Sequence, residues 1–138
     1  MDKLKQPGIH FEDIILVSDN FKRSVNVPET TQPSIDFNVS YVKSEETNNF
    51  SLEISTKFKG IDEGNEVLNL ECTFVGIFSY YEGDKNLSMD EFIENNAPAI
   101  MFPYIREHIS STTRKSGIPQ FLLPPINVSA LLKKKKER

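Results

Sequence analysis

Between residues 34 and 80 apolar and polar positions alternate with period two; after residue 96 the spacing turns helical. Ile35, Phe37, Val39 and Tyr41 alternate with Asp36, Asn38 and Ser40. Phe50, Leu52, Ile54 and Phe58 alternate with Ser51, Glu53, Ser55 and Lys57. Leu68, Leu70, Cys72, Phe74, Gly76, Phe78 and Tyr80 alternate with Asn69, Glu71, Thr73 and Ser79. Period two with one polar face predicts strands of a half-exposed antiparallel sheet. An earlier stretch, residues 11–27, is also strand-like but less regular. Ile14, Ile15, Leu16 and Val17 are continuous, Phe21, Val25 and Val27 then alternate, and Asp19-Asn20 marks a bulge or bend. Residues 28–33 read as a loop by composition, and residues 44–49 and 60–65 hold turn formers at hairpin length. The simplest sheet is a four-stranded antiparallel meander.

Beyond the sheet, Ser88-Met89-Asp90-Glu91 has the form of a capping box, opening a short helix to about Asn95. Pro98 suits the first turn of a longer helix, where its missing N–H has no partner in any case. That helix runs to about Ser116, with Arg114 and Lys115 at its negative end and Gly117 as a left-handed stop. Pro103 removes one internal hydrogen bond and predicts a kink. Phe102, Ile105, Ile109 and Thr112 share a face, and the small side chains of residues 110–113 leave room for a neighbouring helix. Asn127 can cap a last helix with Leu131 and Leu132 as its apolar ridge. Strands followed by helices predict an α+β layer fold in one domain spanning 1–138, with residues 1–8 and 133–138 as mobile ends.

Composition narrows the class. With 138 residues, 38% apolar and 26% charged, the chain has material for one core. One cysteine, Cys72, precludes an internal disulfide and any Cys-x-x-Cys site, and fits a reducing compartment. The first residues lack the apolar centre of a signal peptide, and no run approaches about 18 consecutive apolar residues, so the expectation is a cytoplasmic protein without membrane insertion. The last six residues hold five basic groups and one acid, a local net +4; the other 132 hold 11 basic and 19 acidic groups, a net −8. An acidic body is a poor nucleic-acid surface. The lysine run reads as a solvated helix end.

No constellation points to catalysis, a metal or a cofactor. His10 and His108 fall in no nucleophile, zinc or phosphate motif. Glu107 and His108 are adjacent on a helix and point about 100° apart, so His108 reads as structural or interfacial. Phe121, Leu122 and Leu123, between prolines, are held extended and send side chains to both sides, one of which can face a groove.

The run from Asn96 to Asn127, roughly a quarter of the chain, is the most distinctive. It holds Asn96-Ala97-Pro98, then Phe102-Pro103-Tyr104-Ile105-Arg106-Glu107, then Pro119-Gln120, with Pro125-Ile126-Asn127 four residues on. This resembles the SecB family of bacterial export chaperones, which carry an Asn-Pro…Phe-Pro-Tyr-x-Arg-Glu helix and a Pro-Gln-x-x-x-x-Pro-x-Asn segment. The resemblance implies a SecB-like α+β fold, a four-stranded antiparallel sheet packed with a long kinked helix and a C-terminal helix. It also implies an ATP-independent holdase, not an enzyme, assembled as a dimer of dimers. Unfolded preproteins would bind in apolar grooves lined by Val25, Val27, Gln32, Pro33, Phe37, Phe121, Leu123, Pro124, Ile126, Leu131 and Leu132. Assembly would use Ile105, Ile109, Thr112 and Thr113 of the helix and Leu70, Cys72 and Phe74 of the fourth strand.

In that family acidic residues on the open sheet face meet the export motor SecA. Glu71 matches one such position. Around Asn20 and Ser24 the first strand is not acidic, and Lys22 and Arg23 add positive charge. The loop before Gln32-Pro33 is shorter than in typical members and lacks their tryptophan. Three readings follow: a SecB-like chaperone of export, a specialised relative protecting an antitoxin in a toxin–antitoxin system, and a small-ligand-binding α+β domain.

Overall fold

The computed structural model describes residues 9–44, 48–80 and 96–118. They form strands β1 (Ile9–Arg23), β2 (Gln32–Ser44), β3 (Asn49–Asp62) and β4 (Asn65–Tyr80), followed by the helix α1 (Ala97–Lys115). The expected short helix before Asn95, the final helix with Leu131 and Leu132, and both chain ends lie outside the described residues.

Where the sequence alternates strictly, the strands pair as antiparallel neighbours: β2 with β3 from Gln32↔Ile61 to Ser44↔Asn49, and β3 with β4 from Asn49↔Ser79 to Asp62↔Asn65. The β3–β4 turn is tight. Glu63 and Gly64 both have positive φ, 50° and 83°, as two-residue hairpins that follow the strand twist require.

β1 departs from the meander. The order is β1-β4-β3-β2, so the first strand lies beside the last and not beside β2. The eight residues between β1 and β2 exceed a tight hairpin and cross the ends of β4 and β3, a span of about 14 Å at normal strand spacing. Three hairpin-linked strands with a fourth returned by a long connection make a Greek-key arrangement.

The expected irregularity in β1 is present but displaced. The register shifts between Phe11 and Asp13 and again between Leu16 and Ser18, leaving Glu12 and Val17 as extra residues, while Asp19 and Asn20 pair regularly with Cys72 and Glu71. Each shift changes which residues face the helix. Phe11 (opposite Phe78) faces it before the first, Ile14 and Leu16 (opposite Gly76 and Phe74) between the two, and Asp19 and Phe21 (opposite Cys72 and Leu70) after the second. The apolar run Ile14–Val17 is thus shared between the two sides of the sheet. The strand ends at Arg23, so Val25 and Val27 belong to the loop.

The core lies between one sheet face and α1. Phe50, Leu52, Ile54, Phe58, Leu68, Leu70, Cys72, Phe74 and Phe78 point to Ala97, Met101, Phe102, Ile105 and Ile109. Phe50 and Phe78 stack at 4.9 Å, and Phe37 meets Phe102 edge-on at 5.6 Å. Gly76 allows the close approach of the helix: a Cβ there would lie 2.7 Å from the Met101 sulfur.

The helix runs unbroken through Pro103, whose ring and whose bond-deprived acceptor residue Ala99 are both exposed. At its end Gly117, with φ 75°, donates to the Arg114 carbonyl at 3.0 Å, and Ile118 donates to that of Thr113 at 3.1 Å. This is a Schellman stop at the expected glycine. It folds Ile118 back into the core.

Candidate functional site

The site forms at the corner where residues 24–31 pass from β1 to β2. The loop is strapped along its length. Ser24 N–H donates to the Val67 carbonyl at 2.9 Å. Thr31 donates to the Pro28 carbonyl through both its N–H, at 3.1 Å, and its hydroxyl, at 2.5 Å. The Thr30 hydroxyl donates to the Asp62 carboxylate. Thr31 is buried because Gly60 leaves a notch for it; a Cβ on Gly60 would stand 2.9 Å from the Thr31 methyl.

On this rigid frame Val25 projects with 97% of its surface exposed. Val27, two residues on, turns inward and packs against the core. Val25 is thus a branched apolar side chain held in water by an ordered loop, with half-buried Val27 and exposed Pro33 beside it in the same corner. Gln32 and Pro33, both exposed, continue the corner at the start of the edge strand β2.

The expected groove residues therefore divide. Val25, Gln32 and Pro33 lie at the surface, and Val27 is half-buried beside them. Phe37 is not a groove residue: it is 3% exposed, because its strand position points to α1 and Phe102 closes over it. Phe121, Leu123, Pro124, Ile126, Leu131 and Leu132 lie outside the described residues.

The expected assembly residues need correction too. Leu70, Cys72 and Phe74 on β4 and Ile105, Ile109 and Thr113 on α1 face each other inside the chain's own core. They carry the helix-facing side of the sheet and the sheet-facing side of the helix, so they join the two layers of one chain. Thr112, at the margin, is half-buried. The buried Thr113 hydroxyl donates back to the Ile109 carbonyl at 2.9 Å and needs no outside partner.

Glu71 lies exposed on the open side of the sheet, as its strand position requires. Its cross-strand neighbours are Lys57 on β3 and Asn20 on β1, and the Asn69 amide approaches it at 3.4 Å. The acidic group thus has a cation directly opposite.

His108 faces the β1 edge. Its Nε2 lies 2.9 Å from the Asp19 carboxylate, and its ring meets Phe74 edge-on at 5.8 Å. This geometry ties helix to edge strand. Beneath it, burial first and the Asp19 charge second push the Cys72 thiol up to about 12. A thiol so held is a poor nucleophile and metal ligand.

Sequence reading missed Arg23, which anchors the corner. Its guanidinium reaches the backbone of the loop and of the helix end. The available signal was positional: two residues after Phe21, Arg23 occupies a helix-facing strand position where an apolar residue is usual.

A four-stranded antiparallel sheet covered by a helix on one side, with Val25 held in water on a strapped corner, defines an α+β domain. The chain belongs to the SecB family: the family profile described as preprotein translocase subunit SecB matches residues 7–138. Among curated relatives it is 28% identical over 108 residues to the protein-export protein SecB of Orientia tsutsugamushi (strain Boryong), covering 75% of this chain and 65% of that protein. It is 29% identical over 139 residues to the protein-export protein SecB of Magnetococcus marinus, covering 94% and 85%. The chain thus spans just under two thirds of the length of the Orientia relative. The fold is shared with a SecB-like chaperone of Mycobacterium tuberculosis, solved in complex with a ChAD peptide from the HigA1 antitoxin, at a TM-score of 0.75 and 18% identity over 86% of this chain and 90% of that one. Among the described residues no helix is long and apolar enough to cross a membrane.

Proposed function

We propose that this protein is an ATP-independent chaperone that holds unfolded polypeptide segments against the apolar corner formed by residues 24–33. The observation that carries this reading is Val25, fully in water on a loop that hydrogen bonds and the Gly60 notch hold in place. Family membership supports it. The mechanism requires no bond chemistry. A holdase binds unfolded chains and not folded ones, and so draws clients from aggregation by mass action.

Each apolar contact is weak, about 1.5–3 kcal/mol for one fully buried large side chain. Strength comes from number. Several corners on one homo-oligomer, a dimer or a dimer of dimers, would engage one long client with avidity. The edge strand β2 begins at the same corner, and an extended client there can add backbone hydrogen bonds independent of its sequence.

The client under this reading is an unfolded preprotein on its way to export. A second reading, an antitoxin client, has two observations in its favour: the fold neighbour holding an antitoxin peptide, and the Lys57 opposite Glu71 on the face expected to meet SecA. Both readings predict an oligomer on sizing that suppresses aggregation of a chemically unfolded protein without ATP. A strict monomer that leaves aggregation unchanged refutes both. Affinity capture of SecA from lysate selects export; capture of an antitoxin without SecA selects the second reading.

A further inference from the structure

Three carbonyl groups converge on one guanidinium. Arg23 Nε donates to the Ser24 carbonyl at 2.8 Å, Nη2 to the Val25 carbonyl at 2.8 Å and Nη1 to the Ser116 carbonyl at 2.6 Å. Two of these belong to the loop that exposes Val25. The third, 93 residues away in sequence, belongs to the C-cap of α1. The last carbonyls of a helix lack intrahelical partners and form the negative end of its dipole, so a cation there is doubly favoured. Only arginine can serve all three acceptors at once, because its donors lie in a fixed planar fork; a lysine ammonium is a point charge.

The contact thus joins two segments that no ladder hydrogen bond connects. One is the loop wall of the corner. The other is the helix stop at residues 116–118.

We propose that Arg23 is a positioning residue for client binding. It fixes the separation between the β1–β2 loop and the end of α1, so that the corner is formed before a client arrives. This rests on the chaperone reading above. Without the clamp the two segments move independently, and the client must select the molecules in which they are correctly placed. If one molecule in ten keeps that arrangement, the apparent Kd rises about tenfold.

The test compares the parent protein with R23K and R23Q. The probe is dye-labelled, reduced and carboxymethylated α-lactalbumin, a permanently unfolded chain. Sizing, thermal melting and amide hydrogen exchange accompany the titration. Both variants are expected to bind about tenfold more weakly, with the oligomer unchanged and the melting temperature lower by a few degrees, because three hydrogen bonds from a cation are lost. Exchange at Ser24, Gly117 and Ile118 is expected to accelerate by a larger factor than exchange in the β3–β4 ladder. Lysine retains the charge but not the fork, so R23K binding at parental affinity overturns the proposal. Acceleration as large across the whole sheet as at Ser24, Gly117 and Ile118 also overturns it, since Arg23 would then be stabilising the fold at large. A parent protein that fails to bind the unfolded probe refutes the chaperone reading itself, and the proposal falls with it.

Discussion

Replacing Val25 with aspartate separates binding from folding. The native side chain is 97% exposed, so the substitution removes no intramolecular contact, and folding stability should change by no more than about 0.5 kcal/mol. In a complex the balance differs. Burying a valine side chain contributes about 1.5 kcal/mol, and leaving a carboxylate desolvated without a partner costs more than the roughly 1–3 kcal/mol of a neutral polar group. A client that covers Val25 fully should therefore bind V25D at least about a hundredfold more weakly, and one that covers half of it at least about tenfold more weakly. V25S isolates the apolar part, with a loss of about 1 kcal/mol. The assay is fluorescence anisotropy with the unfolded probe, beside a thermal melt of each variant. F37A is the contrasting control. Phe37 is 3% exposed against Phe102, so its truncation should lower stability by about 3–5 kcal/mol. V25D binding within twofold of the parent would show that the loop is no part of the client surface.

Two further predictions test the frame. G60A drives a methyl to within 2.9 Å of the Thr31 methyl and 3.1 Å of the Leu68 Cβ, and should cost about 1–3 kcal/mol in urea unfolding; T31S, which removes the Thr31 methyl, should recover part of that loss in the double variant, and additive effects would refute the notch. Cys72 is pushed up from 9.0 to about 12, so only the unfolded chain ionises its thiol as the pH rises past about 9. Relative to C72A, the protein should lose about 1.4 kcal/mol per pH unit between about 9 and 12, with no difference in slope below that window. At pH 8 native Cys72 should also react with a disulfide reagent about a thousandfold more slowly than the unfolded protein; comparable rates would refute its burial.

The sheet was legible wherever alternation was strict. Residues 35–41, 50–58 and 68–80 show their two faces directly, because side chains of a strand point alternately to either side. Pro98 and Gly117 marked the ends of α1 through local backbone chemistry, which a short stretch of sequence contains. What was hidden is non-local. Alternation says that Phe37 and Leu70 share a face with their neighbours; it does not say that a helix covers that face, so residues of one core read as groove and interface. The partner of β1 depends on where an eight-residue loop travels, and nothing in the loop's composition records a destination. Arg23 is the sharpest case. Its partners, Ser24, Val25 and Ser116, offer only carbonyls, and a main-chain acceptor leaves no mark on the residue type.

The paired irregularities of β1 constrain how this strand can change length. The strand has two residues more than the stretch of β4 it lies against, and the two surpluses act like compensating frameshifts: the first puts the inward and outward positions out of phase, and the second restores them. Removing Glu12 or Val17 alone would abolish one irregularity and leave every other residue opposite its present β4 partner, with Phe11, Phe21 and Arg23 still facing the helix. Removing both would leave a straight strand with Phe11, Ile14, Leu16, Phe21 and Arg23 still inward. The strand can thus shorten by one residue at either of these two points, whereas a deletion within the regularly paired residues 18–22 would set Arg23 opposite Asn69 and turn its guanidinium away from the helix end.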